Sequence, residues 1–289
     1  MKNERKEEED NPDTDKYILY LSFKMTTGIT GIAAVLNLIK GNYPFIESIL
    51  SVLPICKQML ISDGGSTDGT LEVLQRLKAK YDKIKIFRER WEVHEKGRLF
   101  KGVVKTVNRL MRKAKTSHIL YLQVDEIYHE DCLGQIASLP KIYPGKMFFK
   151  FPFMHFYSTK PNREYIFERP FYSVSGVPYC WAVRMIKNKP QEIVSFGDAW
   201  TFCFKFSEIV KKYFFHPRKM GKTIFLGDEV DGYTAYINLK YPVFHFRGGQ
   251  VGKDVDQSDL KPYKGPFPAI VRDLIGKKYR IREELLDIR

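Results

Sequence analysis

Residues 61–70 read ISDGGSTDGT and close the apolar run QMLIS of residues 58–62. Within 63–70, Asp63 and Asp68 sit among three glycines and three hydroxyl residues. None of these groups can build a core, and a turn needs only one or two of them. The stretch therefore predicts a buried strand that ends abruptly in a loop with a task of its own. The next residues, DGTLEVLQRLKAKY, place Leu71, Leu74 and Leu77 on one helical face, with Asp68 as the expected N-cap.

The same alternation extends outward. ITGIAAVL (29–36) reads as a first buried strand, and YPFIESILSVLP as a helix closed by Pro54. KIKIFRE follows as a third strand, LFKGVVKTVNRLMRKAK as a basic amphipathic helix, and HILYLQV (118–124) as a fourth strand ending at Asp125 and Glu126. Strand–helix alternation with short connections predicts a doubly wound α/β sheet. After residue 140 the pattern is less regular. KMFFKFPFMHFYS, CWAVRMIKN and YPVFHFRGG read as strands, and GGQVGKDVDQSDLKPYKG as a loop. FPAIVRDLIGKKYRIREELLDI reads as a basic closing helix. The expected organisation is a charged, disordered tail over 1–16, one α/β domain over 17–262 whose second half elaborates the first, and a C-terminal helix over 263–289.

Bulk properties bound the function. The 289 residues are 44% hydrophobic, enough for a substantial core. No apolar run reaches the roughly 20 residues of a membrane span, and the charged start is no secretory signal. Cys56, Cys132, Cys180 and Cys203 form no CxxC pair, which suits reduced thiols in a cytoplasmic protein. The net charge is +14 although the tail carries seven acidic and four basic residues. Such a surface attracts polyanions: nucleic acid, anionic lipid or phosphorylated small molecules. A solvated basic face is the plain alternative.

Ligands of open α/β sheets bind beyond the carboxyl ends of the strands. Asp63 and the Asp125–Glu126 pair both fall there. Gly64 and Gly65 allow close approach to the backbone, and Asp63 can accept hydrogen bonds from a base or ribose. Asp125 and Glu126 can hold a hard divalent cation that bridges to phosphates. A capped turn and an acidic strand end are the structural readings of the same residues.

ISDGGSTDGTLEVLQRL resembles the DDGSTDGT segment of glycosyltransferase family 2, whose members have the GT-A fold. NYPFIESILSVLP resembles the helix before that segment in a glycosyltransferase-like subgroup. HILYLQVDEIYHED resembles the subgroup's metal-site strand, LYLQADE. VRMIKNKPQEIVSFGDAW and YPVFHF resemble later segments, so the similarity covers most of residues 29 to 248.

The resemblance implies a Rossmann-like mixed sheet flanked by helices, and transfer of a sugar from a nucleotide diphosphate to an acceptor hydroxyl with inversion. A divalent cation, Mn2+ or Mg2+, would assist. Asp63, Asn37 and Gly65 would meet the nucleotide, and Lys105, Asn108, Arg98 and Arg247 would lie near its diphosphate. Asp125 matches the second Asp of DxD, His245 a late metal-ligating histidine, and Asp198 in SFGDAW the general base. Each also has a structural reading, such as a core histidine, a capped turn or a solvated helix face. The acceptor would be a glycan, lipid or protein, with no nucleic acid partner. The residues of the basic C-terminal helix read first as an apolar stripe packed on the domain with solvated charges, and alternatively as a peripheral contact with an anionic membrane surface. Three positions depart from the family pattern: Gln123 replaces the first Asp of DxD, Gly64 the second Asp of DDGS, and Leu36–Asn37 an Arg-Asn pair. Gln123 and Gly64 keep a catalytically degenerate relative as an alternative, and the basic charge keeps a nucleic-acid-binding protein on a Rossmann-like scaffold as another.

Overall fold

The computed structural model describes residues 28–91, 100–157, 171–173, 180–196, 201–205, 232–247, 260–275 and 279–287. The charged tail and residues 17–27 lie outside them. Four parallel strands form the first half of the sheet: β1 (Ile29–Val35), β2 (Gln58–Asp63), β3 (Ile84–Arg88) and β4 (His118–Tyr121), in the order β3-β2-β1-β4. β1 is buried on both faces. Ile29, Ala33 and Val35 join one apolar cluster and Ile32 the other, as expected of a parallel strand covered by helices on both sides.

The helices follow from the apolar spacing. On one face lie α1 (Phe45–Val52), α2 (Thr70–Lys80) and α4 (Glu130–Ile142). The other face is covered by α3 (Phe100–Lys113), through Val107, Leu110 and Met111. α4 was not legible in the sequence, because Gly134 and Pro140 interrupt its helical signal. His129 caps it, with its ring accepting from the amide of Asp131.

The second half joins the same sheet with mixed polarity. β8 (Cys180–Lys187) pairs antiparallel with β4, and β6 (Phe148–Tyr157) antiparallel with β8. β12 (Val243–Arg247) runs parallel to β6 and also pairs with the short β5 (Glu126–Ile127). Phe148, Phe149, Phe151, Phe153 and Phe156 are all buried, so this aromatic run is core. The other strands are β7 (Phe171–Ser173), β9 (Ile193–Phe196), β10 (Thr201–Phe204), β11 (Thr234–Tyr236) and β13 (Leu260–Pro262); β13 lies within the expected loop 248–265 and pairs antiparallel with β7.

The C-terminal segment corrects the expectation of one basic helix over 263–289. Among the described residues there, α5 (Ala269–Arg272) alone is α-helical, and Glu283–Leu285 forms a single 3-10 turn. Ile270, Val271 and Leu274 are buried in the core, so they are not a membrane-facing stripe. Polar anchoring fixes the irregular path. Arg282 donates to the carbonyl of Ile270 at 2.8 Å, and the Tyr279 hydroxyl donates to Glu47 in α1 at 3.0 Å. Among the described residues no helix is long and apolar enough to cross a membrane.

α1 is buried all round, including Glu47, Ser48 and Ser51. Burial raises the Glu47 carboxyl from 4.5 to about 7, against the opposing pull of Arg282 and Tyr279. The folded state therefore holds this proton more tightly than the unfolded chain. Its stabilising contribution is complete below pH 4.5 and fades as pH rises towards about 7. Glu47→Gln removes the titration and keeps an acceptor for Tyr279. Between about pH 5 and pH 8 the variant should gain stability relative to the wild type, by roughly 3 kcal/mol at most. Urea unfolding at both pH values checks this; equal pH dependence of the two proteins would contradict it.

Candidate functional site

β1 and β2 are in register to their ends, Val35 opposite Asp63, so the loops that follow leave the sheet side by side. The polar residues of 63–70 serve the backbone of the neighbouring loop. Ser66 Oγ accepts from the amide of Asn37 at 2.9 Å, and Thr70 Oγ1 from Leu38 at 2.9 Å and Ile39 at 3.3 Å. Asp68 accepts from the amide of Lys40 at 2.7 Å. In return, Asn37, itself at φ 50°, accepts from the amide of Thr67 at 2.9 Å. Four consecutive amides that no strand or helix could pair are thus satisfied by side chains.

Asp63 is fully buried, and its carboxylate accepts from the amides of Gly65 and Ser66 and from the Ser66 hydroxyl. It shapes the loop. Gly65 turns the chain at φ 100°, a conformation that favours glycine. Asp68 precedes the actual N-cap, Gly69, by one residue, yet accepts from the Thr70 amide at 3.1 Å. Burial pushes its carboxyl up, but the hydrogen bonds from Lys40 and Thr70 outweigh this and hold it below the usual range.

Gly64 has a specific neighbour. A Cβ there would fall 2.4 Å from the indole of Trp91, and one at Gly102 would fall 2.9 Å from it. Trp91 is buried and donates its indole N–H to Thr106 at 2.9 Å. The indole occupies the space that the family's second Asp would need, which accounts for the glycine.

The acidic strand end is organised by a residue the sequence reading missed. β4 ends at Tyr121, earlier than expected, and a turn closed by the amide of Glu126 on the carbonyl of Gln123 (2.9 Å) presents Asp125. Beneath it lies Arg184, wholly buried. Lys150 pairs with Val183 and Phe149 with Met185, so Arg184 is the extra residue of a β-bulge, a device that re-aims a side chain. Its guanidinium meets Glu126 at 2.7 Å and donates to the amide oxygen of Gln123 at 3.1 Å. Burial pulls the guanidinium down; the charge and hydrogen bonds of Glu126 more than reverse this and keep it protonated. Glu126 and Gln123 are therefore engaged from within, and Glu126 is not placed as the metal ligand that the sequence suggested. An arginine inside the apolar strand CWAVRMIK was the available signal.

Asp125 points elsewhere. Its Oδ2 lies 3.1 Å from Nε2 of His245, whose other nitrogen, Nδ1, lies 2.7 Å from Nδ1 of His155. Burial raises the Asp125 carboxyl, and His245 more than offsets this, leaving it lowered. A carboxylate oxygen and an imidazole nitrogen at this separation suit two neighbouring ligands of one ion, each about 2.1 Å from it. Among the described residues no group of three or more His, Cys, Asp or Glu converges. The pair fits a cation held by few protein ligands and by phosphate oxygens, a common arrangement for hard cations.

The remaining expected residues are less directly engaged. Asn108 uses both ends of its amide on the backbone of Ser195, at 2.8 and 3.3 Å, so it pins α3 to the strand Ile193–Phe196. This gives it a structural task. Lys105 lies on the exposed face of α3. Arg247 is the last residue of β12, opposite Tyr157. Asp198 and Arg98 lie outside the described residues.

A family model described as Glycosyl transferase family 2 matches residues 43–171. That stretch takes in the 63–70 loop and the 123–126 turn. No curated protein matches the chain. Among similar solved structures is residues 1–349 of TarS from S. aureus, 13% identical with a TM-score of 0.41, covering 75% of this chain and 60% of that one. Another is the mannosyltransferase PcManGT from Pyrobaculum calidifontis in complex with GDP-Man and Mn2+ (15%, TM-score 0.33, 46% and 40%). A third is glucosyl-3-phosphoglycerate synthase from Mycobacterium tuberculosis in complex with Mn2+, UDP and phosphoglyceric acid (16%, TM-score 0.30, 50% and 48%). The chain thus spans between 40% and 60% of the length of these proteins.

Two substitutions probe the scaffold of the site. Arg184→Met leaves Glu126 buried without its partner and should destabilise by about 3–5 kcal/mol. Adding Glu126→Gln should recover much of that loss in urea unfolding, and a double variant as unstable as the single one would contradict the pairing. Thr70→Val keeps the shape but orphans the buried amide of Leu38, at a cost of about 1–3 kcal/mol. Thr70→Ser should restore most of it, and equal stability of all three proteins would refute the lacing of the two loops.

Proposed function

We propose that the chain, whose residues 43–171 match the Glycosyl transferase family 2 model, moves a sugar from a nucleotide-diphosphate donor to an acceptor hydroxyl with inversion, assisted by Mn2+ or Mg2+. The mixed α/β sheet flanked by helices is the GT-A arrangement of that family. The observation that carries the proposal is the approach of Asp125 and His245 to 3.1 Å beyond the carboxyl end of β4, one strand from the paired 37–40 and 63–70 loops. Ligands of open α/β sheets bind at this edge.

Within this reading, Asp125 and His245 would hold the cation, which would supply Lewis-acid neutralisation of the charge on the leaving diphosphate. The laced loops form a rigid floor beside it, and Gly65 brings the backbone close to the nucleotide. Asn37 and Asp63 act by holding those loops in shape. Arg184 fixes the 123–126 turn and thereby the aim of Asp125. Lys105 and Arg247 supply positive charge towards the diphosphate. Asp198 accepts the proton of the attacking hydroxyl, as a general base. The acceptor is a glycan, lipid or protein hydroxyl.

Calorimetry with UDP, GDP, dTDP and CMP, each with Mn2+ and with chelator, tests the proposal. One nucleotide should bind best, and Mn2+ should tighten it. Asp125→Asn should abolish the tightening while leaving binding in chelator unchanged. Nucleotide affinity that is the same in Mn2+ and in chelator for the wild type would remove the cation from the mechanism. Absence of any nucleotide binding would remove the donor as well.

A further inference from the structure

We infer that His155 is a positioning residue that sets which nitrogen of His245 carries the proton, and so governs cation binding at Asp125. The inference rests on the reading of Asp125 and His245 as the cation site. His155 and His245 are register partners in the parallel pair β6–β12, and His245 also stands opposite Glu126 in β5. Their Nδ1 atoms lie 2.7 Å apart, with the rings inclined at 62°. The His245 ring is buried, with Phe153 edge-on to it at 6.3 Å, so it has little freedom to turn.

A nitrogen–nitrogen hydrogen bond needs one donor and one acceptor. With its proton on Nε2, His245 donates to Asp125, and its Nδ1 accepts from Nδ1–H of His155. For Nε2 to offer its lone pair to a cation, that proton must leave and Nδ1 must carry one instead. His155 Nδ1 then becomes the acceptor. For neutral rings the change balances. His245 loses a proton from Nε2 and takes one at Nδ1 from His155, which takes one at its own Nε2, so no net proton is gained or lost. An acceptor behind a metal-binding imidazole fixes its tautomer and raises its basicity. His155 occupies that place.

The test measures Mn2+ binding in the presence of saturating UDP by electron paramagnetic resonance of the free ion. UDP is replaced by whichever nucleotide the wild type binds best. His155→Phe keeps a ring but offers no acceptor, and should weaken Mn2+ by about 10- to 100-fold. His155→Asn places an amide oxygen near the former Nδ1 and should stay within about threefold of the wild type. Nucleotide affinity in chelator should be the same in all three proteins, which separates a positioning role from damage to the fold. Equal Mn2+ affinity of the wild type and His155→Phe overturns the inference alone. Loss in His155→Asn as large as in His155→Phe overturns it too, since a replacement acceptor would then not suffice. If the wild type binds no Mn2+ and matches Asp125→Asn, the cation reading itself falls, and this inference with it.

Discussion

The arrangement of the site depends on one buried ion pair. Arg184 and Glu126 are both fully buried, and neither charge could remain there alone. Desolvating a charge costs several kcal/mol, which a partner offsets only with good geometry and further hydrogen bonds. Here the guanidinium is bound by Glu126 through more than one nitrogen, by Gln123, and by the carbonyl of Val183. The bulge in β8 is needed to bring the arginine inward, and Ser48 of α1 ties down the carbonyl of Glu126 at 2.7 Å. Asp125, on the same turn, is thereby held outward against His245.

This pairing gives the departure at position 123 a physical sense. The amide oxygen of Gln123 accepts from Arg184, while a carboxylate there would add a second negative charge beside Glu126. The glycine at 64 has a comparable cause in the Trp91 indole. In both cases the altered residue is complementary to an internal neighbour.

The C-terminal segment completes the enclosure of α1. The helix is gripped on one side by the 123–128 segment, through Ser48 and Ser51, and on the other by Tyr279 at Glu47. A helix with three polar side chains, buried all round, is stable only because these partners lie far away in the chain.

Much of the first half was legible from residues alone. Buried parallel strands are short apolar runs and amphipathic helices repeat at 3.6 residues, so β1 to β4, α2 and α3 could be read locally. The loop of 63–70 was recognisable as exceptional because it is too polar and too long for a turn. Its use was not, since hydrogen bonds from the amides of 37–40 to the side chains of 66, 68 and 70 depend on two strands lying side by side. The closing helix was misread because apolar spacing cannot distinguish a continuous helix from a short turn pinned by Arg282 and Tyr279. The sequence by itself determined the α/β class and the candidacy of Asp125 and His245. Tertiary structure alone decided that Glu126 belongs to Arg184, that Asp63 and Asn108 serve the backbone, and that His155 stands behind His245. Those assignments are contacts between segments tens of residues apart, and local periodicity carries no information about them.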